Sequence, residues 1–269
     1  MSATPDPSRP ERPKYAPIAV TRKISSAMLR CELTHLERTV IDVALAREQH
    51  RAYEQMLRSL GCRIESLPEE PELADSVFVE DTAIVLDEVA VITRPGAPSR
   101  RAETASIAGV LGRYRDLVRI ESPGTLDGGD VLRVGRSLYV GVSSRSNANG
   151  IGQLGALLLP FGYRVLPVTV TGCLHLKSAV TQVAADALLI NSRHVARRQF
   201  PGMSFIEVDD AEPSGANALL LGTDVIYSSS HPRTAEILRG HGIRVHPVQM
   251  SETEKAEGAV TCCSLLFSQ

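Results

Sequence analysis

The sequence predicts an α/β fold in which repeated strand–helix–strand units close into a ring, like the blades of a propeller. After a longer opening unit, an apolar strand followed by a polar turn recurs at intervals of about 40 to 50 residues, a period typical of solenoids and propellers. The units mix strands with helices and are few, which favours a closed ring over an open array. The alternative is a doubly wound α/β sheet, but no GxGxxG motif occupies a strand–helix turn.

Each predicted unit begins with an apolar strand, and in three units a helix that ends near glycine leads into a second strand. The clearest helix, Asp42–Leu60, carries its apolar side chains on one face. It stops at Gly61, a residue type common at helix C-termini, and Cys62–Leu67 resumes as a strand. Helices at Gly150–Leu159 and Arg233–Arg239 precede the strands that start at Gly162 and Gly242. The leading strands are Tyr15–Arg22, Val89–Arg94, Leu138–Ser143, Ala187–Ser192 and Val225–Ser228.

The composition is that of a globular protein. The 269 residues are 43% hydrophobic and 22% charged, and no apolar run approaches the roughly 20 residues of a membrane helix. A formal net charge of -2 argues against nucleic-acid and anionic-membrane partners, which require a basic surface. The first residues contain Pro, Ser and charge but no apolar signal-peptide core. We therefore expect a disordered lead-in at residues 1–14 and a single domain at residues 15–269.

The five cysteines are odd in number and unevenly placed. No CxxC pair with a further ligand is present, so the pattern predicts neither a disulfide framework nor a zinc site. Reduced thiols indicate a cytoplasmic protein. Cys262 and Cys263 are adjacent, and neighbouring side chains of a strand point to opposite faces. If Cys263 faces the core, Cys262 therefore faces a cavity; the alternative is that both are small buried hydrophobic residues.

Two acidic motifs stand at predicted strand ends. Asp75–Asp81 alternates as a strand should and closes with Glu80 and Asp81, a carboxylate pair that is costly to bury unless a cation joins it. Leu126–Leu132 contains two glycines that permit a close backbone approach, with Asp127 just outside the strand that Val131 begins. The alternatives are a solvated turn for the first motif and a hairpin turn for the second.

A histidine and two arginine-containing loops complete the set of candidate residues. Within Gly172–Val180, His175 alternates with Leu174 and Leu176 in a predicted apolar strand beside a turn of small residues, although a lone histidine is more often structural than catalytic. The loops Thr93–Arg101 and Ser143–Asn147 offer arginine, which binds carboxylates in a bidentate manner; the alternative is surface charge. Together these groups would equip a site for a cationic amino acid that is attacked by a thiol.

These residues resemble the dimethylarginine dimethylaminohydrolases of the pentein, or guanidino-group-modifying, superfamily. The matching segments occur in the family's order and span nearly the whole chain after the lead-in. The resemblance implies a five-bladed α/β propeller of pseudo-fivefold symmetry, in agreement with the ring predicted from the repeats. The segments are Asp75–Asp81 (DSVFVED), Ile92–Arg101 (ITRPGAPSRR), Leu126–Leu132 (LDGGDVL), Ser144–Asn147 (SRSN), Leu174–Ser178 (LHLKS) and Thr261–Ser264 (TCCS).

The resemblance also implies roles for individual residues. Cys262 would be the nucleophile, His175 the general acid and base, and Asp127 the carboxylate that orients the imidazole. The remaining implied positions all contact the substrate: Glu80 and Asp81 at the guanidinium, Asp75 and the backbone around Leu33 at the α-amino group, Arg100 and Arg145 at the α-carboxylate, and carbonyl groups of the loop Ala256–Gly258.

The implied reaction converts dimethylarginine or monomethylarginine and water to citrulline and the methylated amine, through an S-alkylthiouronium on Cys262. It requires no cofactor and no metal, and the sequence is compatible with a monomer or a homodimer. Arginine deiminase is one alternative. That family resembles the chain at the catalytic groups but typically reads H-x-D, where this chain has Lys177, and usually adds a helical domain. The other alternative is a non-catalytic propeller, similar to the ribosome anti-association factor, whose members lack the thiol, histidine and acidic groups.

Overall fold

The structure consists of five three-stranded sheets that share one plan. It is a computed structural model that describes residues 16–268, so the predicted lead-in at residues 1–14 lies outside it. In every sheet the central strand pairs in parallel with one neighbour and antiparallel with the other. The strands are β1 (Ile18–Arg22), β2 (Arg63–Leu67), β3 (Ala83–Val85), β4 (Val89–Ile92), β5 (Asp116–Arg119), β6 (Val131–Val134), β7 (Ser137–Val142), β8 (Arg164–Thr169), β9 (Val180–Ala184), β10 (Ala187–Ile190), β11 (Ser204–Glu207), β12 (Ala218–Leu221), β13 (Asp224–Ser228), β14 (Arg244–Val248) and β15 (Leu265–Phe267).

The leading strands predicted from the sequence are the central strands of these sheets. The sheet orders are β15-β1-β2, β3-β4-β5, β6-β7-β8, β9-β10-β11 and β12-β13-β14. The repeat did not reveal the antiparallel strand of each sheet, because these strands are short and follow irregular turns. We call β15, β3, β6, β9 and β12 the inner strands.

Helices connect the central strand to its parallel neighbour in four of the sheets. Asp42 caps α1 by accepting hydrogen bonds from the backbone N–H groups of Ala44 and Leu45, and Gly61 follows its end at φ +96°, which confirms the helix predicted there. In the fourth sheet a 3-10 turn, Arg197–Gln199, replaces the helix, so the predicted unit is not complete in every sheet. The helices are α1 (Val43–Ser59), α2 (Thr104–Leu111), α3 (Ala148–Leu158), α4 (Pro232–Gly240) and α5 (Ser251–Glu254).

Alternating side chains of each central strand pack against two different neighbouring sheets. In β1, Ile18 and Val20 contact the second sheet in a cluster with Ile92, whereas Ala19 shares a cluster with Ile226 of the fifth sheet. Five apolar clusters result, one at each boundary between sheets. Five sheets in an open row would have only four boundaries, so the cluster between the first and fifth sheets closes the ring. The fold is a five-bladed α/β propeller, as predicted.

The ring is completed by the last strand of the described chain. β15 pairs antiparallel with β1, with Phe267 opposite Ile18 and Leu265 opposite Val20. The first sheet thus contains a segment from near each end of the described chain. Within residues 16–268, no helix is both long enough and apolar enough to span a bilayer.

Candidate active site

The segments that precede the inner strands meet at one end of the ring. Asp81 comes shortly before β3, Asp127 before β6, His175 before β9 and Cys262 before β15. Because the sheets are arranged around a common ring, equivalent segments of different sheets come together there. They enclose a cavity lined by Glu32, Asp75, Phe78, Asp81, Arg100, Arg145, Leu174, His175, Ala256, Glu257, Gly258 and Cys262.

Most of the residues predicted from the sequence lie in this wall. Asp127 and Glu80 are placed behind it, each bonded to a residue close to the cavity, and Leu33 packs against the apolar cluster beside the first sheet. Glu32, the residue before Leu33, lines the cavity instead. The predicted residues found in the wall are Asp75, Asp81, Arg100, Arg145, His175, Ala256 and Cys262.

The two adjacent cysteines face different surroundings. The side chain of Cys263 is fully buried in the cluster between the first and fifth sheets, whereas Cys262 is half-buried and lines the cavity. The predicted strand is wrong here, because residues 260–263 form a turn and β15 starts only at Leu265. The turn is held by the hydrogen bond from the Glu80 N–H to the Cys262 carbonyl, at 3.2 Å. Burial, reinforced by the carboxylates of Glu80 and Asp81, raises the pKa of the Cys262 thiol to about 12.

His175 is bonded to Asp127 deep in the site. The distance from His175 Nε2 to Asp127 Oδ2 is 3.0 Å, and Asp127 is fully buried. His175 does not lie in a strand as predicted; it is an extended residue before the 3-10 turn Leu176–Ser178, which reverses the chain ahead of β9. Burial alone would lower the pKa of the imidazole. The Asp81 carboxylate, the hydrogen bond to Asp127 and the carboxylate of Asp130 outweigh burial and raise that pKa to about 9.

Asp130 supports this arrangement from behind, and the sequence did not single it out. It is fully buried and accepts hydrogen bonds from the hydroxyls of Ser143 and Ser146 and from the N–H of Leu176, at 2.6, 2.7 and 2.9 Å. The carboxylate therefore fixes the residue that follows His175. The second aspartate of the Asp-Gly-Gly-Asp motif is the signal that could have identified it.

The two adjacent carboxylates, Glu80 and Asp81, diverge. The predicted strand Asp75–Asp81 is wrong. These residues form turns and the start of the 3-10 helix Val79–Thr82, so their side chains do not alternate between two faces as those of a strand do. Asp81 lines the cavity and accepts a hydrogen bond from Arg100 Nη1 at 2.5 Å. Glu80 is absent from the cavity wall and accepts a hydrogen bond from the Lys177 ammonium. Each carboxylate thus has its own cation, which removes most of their mutual repulsion.

These cations act on the carboxyl groups in different ways. Burial would raise the pKa of Asp81, but the positive charges of His175 and Arg100 hold it well below its usual range. Burial raises the pKa of Glu80 despite the opposing charge of Lys177. A permanent negative charge therefore faces the cavity at Asp81, beside the thiol.

A segment around residues 32–36 borders the cavity through Glu32 and is hydrogen-bonded to other residues of the wall. The N–H of Glu32 donates to Asp75 Oδ2 at 3.1 Å, and Arg145 Nη2 donates to Thr34 Oγ1 at 3.1 Å. Glu257 Oε1 accepts hydrogen bonds from the N–H groups of Thr34, His35 and Leu36. The resemblance implied only a backbone role for the loop Ala256–Gly258 and missed the Glu257 side chain, whose partners lie more than 200 residues away.

Glycines 128 and 129 allow the acidic motif to approach its neighbours. A Cβ at position 128 would lie 2.0 Å from the Glu80 carbonyl oxygen, and one at position 129 would lie 2.7 Å from both Asp81 Oδ1 and His175 Nδ1. These contacts are shorter than van der Waals packing permits. The glycines are needed for close approach rather than for a positive φ.

We expect Gly129→Ala to lower kcat/KM by about 100-fold, because a shift of about 1 Å between reacting groups can have an effect of that size. The measurement is formation of citrulline, the product that the resemblance implies, with a thermal melt to show that the variant is folded. Gly152→Ala on α3 is the matched control, since its Cβ would meet nothing within 4 Å. A Gly129→Ala enzyme with more than half the activity of that control would contradict this packing.

The charge on His175 should also appear in the pH dependence of stability. Its pKa is raised in the folded state, from 6.5 to about 9. A raised pKa contributes stability that is fully present below the unfolded value and is lost as pH rises through the folded value. The free energy of unfolding, measured in urea for the wild type minus His175→Gln, should therefore fall between pH 6.5 and 9. A difference that is flat over this window would contradict the charge assignment.

Ligand atoms of Asp81, Asp127 and His175 lie within 4.8 Å of one another, a spacing that a metal ion could use. Each carboxylate already accepts backbone N–H donors, from Gly129 at 2.8 Å and from Gly96 at 2.9 Å. The positive charges of Arg100 and His175 already compensate these groups. The absence of a metal therefore stays a prediction.

Comparisons with known proteins identify the family. Residues 30–199 match the model of the family described as N,N dimethylarginine dimethylhydrolase, eukaryotic. The chain is 42% identical to N(G),N(G)-dimethylarginine dimethylaminohydrolase of Streptomyces coelicolor, over 92% of this chain and 95% of that protein. The chain belongs to the dimethylarginine dimethylaminohydrolase family.

Solved structures of that family share the fold. A cysteine-to-serine mutant of the dimethylarginine dimethylaminohydrolase of Pseudomonas aeruginosa, complexed with citrulline, superposes with a TM-score of 0.90 at 35% identity, covering 94% of this chain and all of that one (100%). A dimethylarginine dimethylaminohydrolase with histidine replaced by glycine, in an adduct with S-methyl-L-thiocitrulline, superposes with a TM-score of 0.88 at 35% identity, covering 93% and 98% of the two chains. The family named from the sequence is confirmed.

Proposed function

We propose that this protein hydrolyses dimethylarginine, and monomethylarginine, to citrulline and the corresponding amine. The observation that carries the proposal is the convergence of Cys262, His175 and Asp81 on one cavity. Family membership supports the same conclusion, since the relatives are named for this reaction and one of them is complexed with citrulline.

The guanidinium should bind beside Asp81, whose carboxylate is charged and faces the cavity. The Asp81 carboxylate keeps the bound guanidinium protonated. The central carbon of the guanidinium therefore remains electrophilic. The bound cation also lowers the pKa of the neighbouring thiol, which burial and the two carboxylates raise in the empty site. Substrate binding therefore favours the thiolate of Cys262, and its proton passes to solvent.

The thiolate then attacks the central carbon and forms a tetrahedral adduct. Dimethylamine is a poor leaving group unless it is protonated, and His175 is an imidazolium at neutral pH because its pKa is about 9. His175 donates this proton, the carbon–nitrogen bond breaks, and an S-alkylthiouronium remains on Cys262. Neutral His175 next takes a proton from water. The hydroxide adds to the carbon, the carbon–sulfur bond breaks as the new hydroxyl loses its proton to solvent, and citrulline leaves with Cys262 again a thiolate.

The α-amino and α-carboxylate groups should bind at the opposite part of the cavity. We assign the carboxylate to Arg145, which lines the wall and donates one side-chain hydrogen bond, to Thr34, among the described residues. Arg100 also lines the wall, but its guanidinium donates to Asp81, to Glu103 and to the Phe78 carbonyl. Arg100 therefore chiefly holds Asp81, and its positive charge also attracts the α-carboxylate of the substrate. Asp75, with the carbonyl groups near Leu33 and Ala256, is assigned to the α-amino group.

Glu80 has a less direct role than the resemblance implied. Both of its carboxylate oxygens have partners, Lys177 and Thr261, and it is absent from the cavity wall. We assign it to the support of Asp81 and of the Cys262 turn. The lysine also distinguishes this site from the H-x-D pattern of arginine deiminases, because it replaces a carboxylate with a cation.

The test is a colorimetric citrulline assay of the purified protein with asymmetric dimethylarginine, with plain arginine as the parallel substrate. We expect citrulline from dimethylarginine at a kcat/KM well above that for arginine. A preference for arginine would indicate a deiminase, and no turnover of either would indicate a non-catalytic member. The free state of all five cysteines supports our further proposal of a cytoplasmic location.

A further inference from the structure

Asn217 occupies, in the fifth sheet, the position that site residues occupy in the other sheets. It directly precedes the inner strand β12, much as His175 precedes β9 and Cys262 precedes β15. Unlike those two residues it is absent from the cavity wall, and its side chain is buried, with 7% of the residue exposed. The pseudo-fivefold symmetry thus brings a fifth polar residue to the axis, without direct access to a substrate.

The amide of Asn217 joins two segments that carry the reactive groups. Its Nδ2 donates to the Lys177 carbonyl oxygen and to Thr261 Oγ1, both at 3.0 Å, and its Oδ1 accepts from the Thr261 N–H at 3.1 Å. Thr261 is the residue before Cys262, and Lys177 is two residues after His175. The planar amide of Asn217 therefore fixes the position of the segment that carries Cys262 relative to the segment that carries His175.

These bonds belong to a closed ring of hydrogen bonds, which we call the Asn217 ring. Thr261 Oγ1 donates to Glu80 Oε2 at 2.8 Å, the Lys177 ammonium donates to Glu80 Oε1, and the Lys177 carbonyl returns to Asn217. Glu80 is next to Asp81, which faces the cavity. The ring consists of Glu80, Lys177, Asn217 and Thr261, from segments that belong to four different sheets. Glu80 and Thr261 each adjoin a residue of the cavity wall, and Lys177 lies two residues after another, His175.

We propose that Asn217 is a positioning residue that fixes the Cys262 thiol relative to the His175 imidazole. The proposal rests on the roles given above to Cys262 and His175. A buried hydrogen-bonded network holds its members in one arrangement when every donor and acceptor is satisfied. Without the amide, the thiol turn loses a backbone and a side-chain tether together, and the thiol and imidazole no longer share a fixed separation.

We expect Asn217→Ala to lower kcat by about 50-fold while KM changes by less than about 3-fold, because misalignment by about 1 Å affects the reacting atoms and not the remote substrate contacts. Asn217→Ser, which keeps one hydroxyl, should recover part of this loss. The matched control is Asn191→Ala. Asn191 is also buried, and its side chain donates to the Pro213 carbonyl and accepts from the Arg193 N–H, but among the described residues that side chain makes no hydrogen bond to either reactive segment.

A second measurement does not depend on the substrate. Iodoacetamide alkylation of Cys262, quantified by peptide mass spectrometry, should be at least about 5-fold faster in Asn217→Ala than in the wild type, because the turn loses its tethers. Asn191→Ala should be unchanged. Failure of the proposed function would leave the wild type inactive on methylated arginines but would not alter this comparison.

The proposal is overturned if Asn217→Ala and Asn191→Ala lose the same stability and Asn217→Ala retains wild-type kcat and alkylation rate. Should Asn217→Ala not fold, Thr261→Val replaces it. This change removes the hydroxyl of the ring but keeps the backbone N–H bond to Asn217, and Thr261→Ser is its control. A kcat for Thr261→Val equal to that of Thr261→Ser would also overturn the proposal.

Discussion

Replacement of Cys262 by serine is expected to reduce citrulline formation by a factor of about 1,000 or more, whereas Cys263→Ser should retain most of the activity. The two residues are adjacent, but only Cys262 lines the cavity, and Cys263 packs in the apolar cluster between the first and fifth sheets. A serine hydroxyl does not ionise at neutral pH, so a bound guanidinium cannot activate it as it activates a thiol. The measurement is steady-state turnover of dimethylarginine.

The second variant distinguishes the loss of a nucleophile from a loss of folding. Cys263→Ser places a hydroxyl in a fully buried apolar position and should lower the thermal midpoint, while Cys262→Ser should leave it nearly unchanged. Cys262→Ser should thus lose activity but keep its stability, whereas Cys263→Ser should keep most of its activity but lose stability. If Cys263→Ser were the inactive but stably folded enzyme, Cys263 would be the nucleophile.

His175→Gly is expected to abolish steady-state release of citrulline, with a loss of about 1,000-fold or more. Without the imidazole, the leaving amine loses the acid that protonates it, and the hydrolytic water loses the base that takes its proton. A substrate with a better leaving group than dimethylamine needs no such acid in the first step. Such a substrate, for example S-methyl-L-thiocitrulline, should therefore modify Cys262 without completing the cycle.

Mass spectrometry of intact His175→Gly protein after mixing with that substrate would show the adduct on Cys262. The double variant His175→Gly with Cys262→Ser is the control and should show no added mass. Normal turnover of dimethylarginine by His175→Gly would mean that another group acts as the acid. Asp127→Asn should show a smaller defect than His175→Gly, because it leaves the imidazole in place while removing the carboxylate that orients it.

The sequence predicted the ring because the central strands are buried on both faces. Strands such as Val89–Ile92 are continuously apolar, and alternate side chains pack into two different clusters, so each leaves a clear apolar run. The helix α1 was equally clear, since its cap residue Asp42 and the terminating Gly61 are both local signals. Features encoded by neighbouring residues were therefore predictable.

The segments that build the cavity were predicted less well. Asp75–Asp81, the segment around His175 and the Cys262–Cys263 pair each show a short alternation that is typical of a strand, yet they form turns, bends and short 3-10 helices. Alternation over a few residues cannot distinguish a strand from a turn, because contacts with other sheets decide which of them forms. The Cys262 turn, for instance, is held by Glu80 and Asn217, which are distant in sequence. Motif resemblance supplied the residues, but their partners required the fold.

The pairing of β15 with β1 has a consequence for biogenesis. Cys262 lies just ahead of β15, the last strand in the part of the chain that the structure describes, and β15 pairs with β1, the first. A polypeptide in which β15 has not yet paired with β1 cannot place the Cys262 sulfur beside the His175 imidazole, even if its other blades have formed. Partly synthesised or truncated chains should therefore be catalytically silent, and the appearance of activity during refolding should report the last, most non-local step.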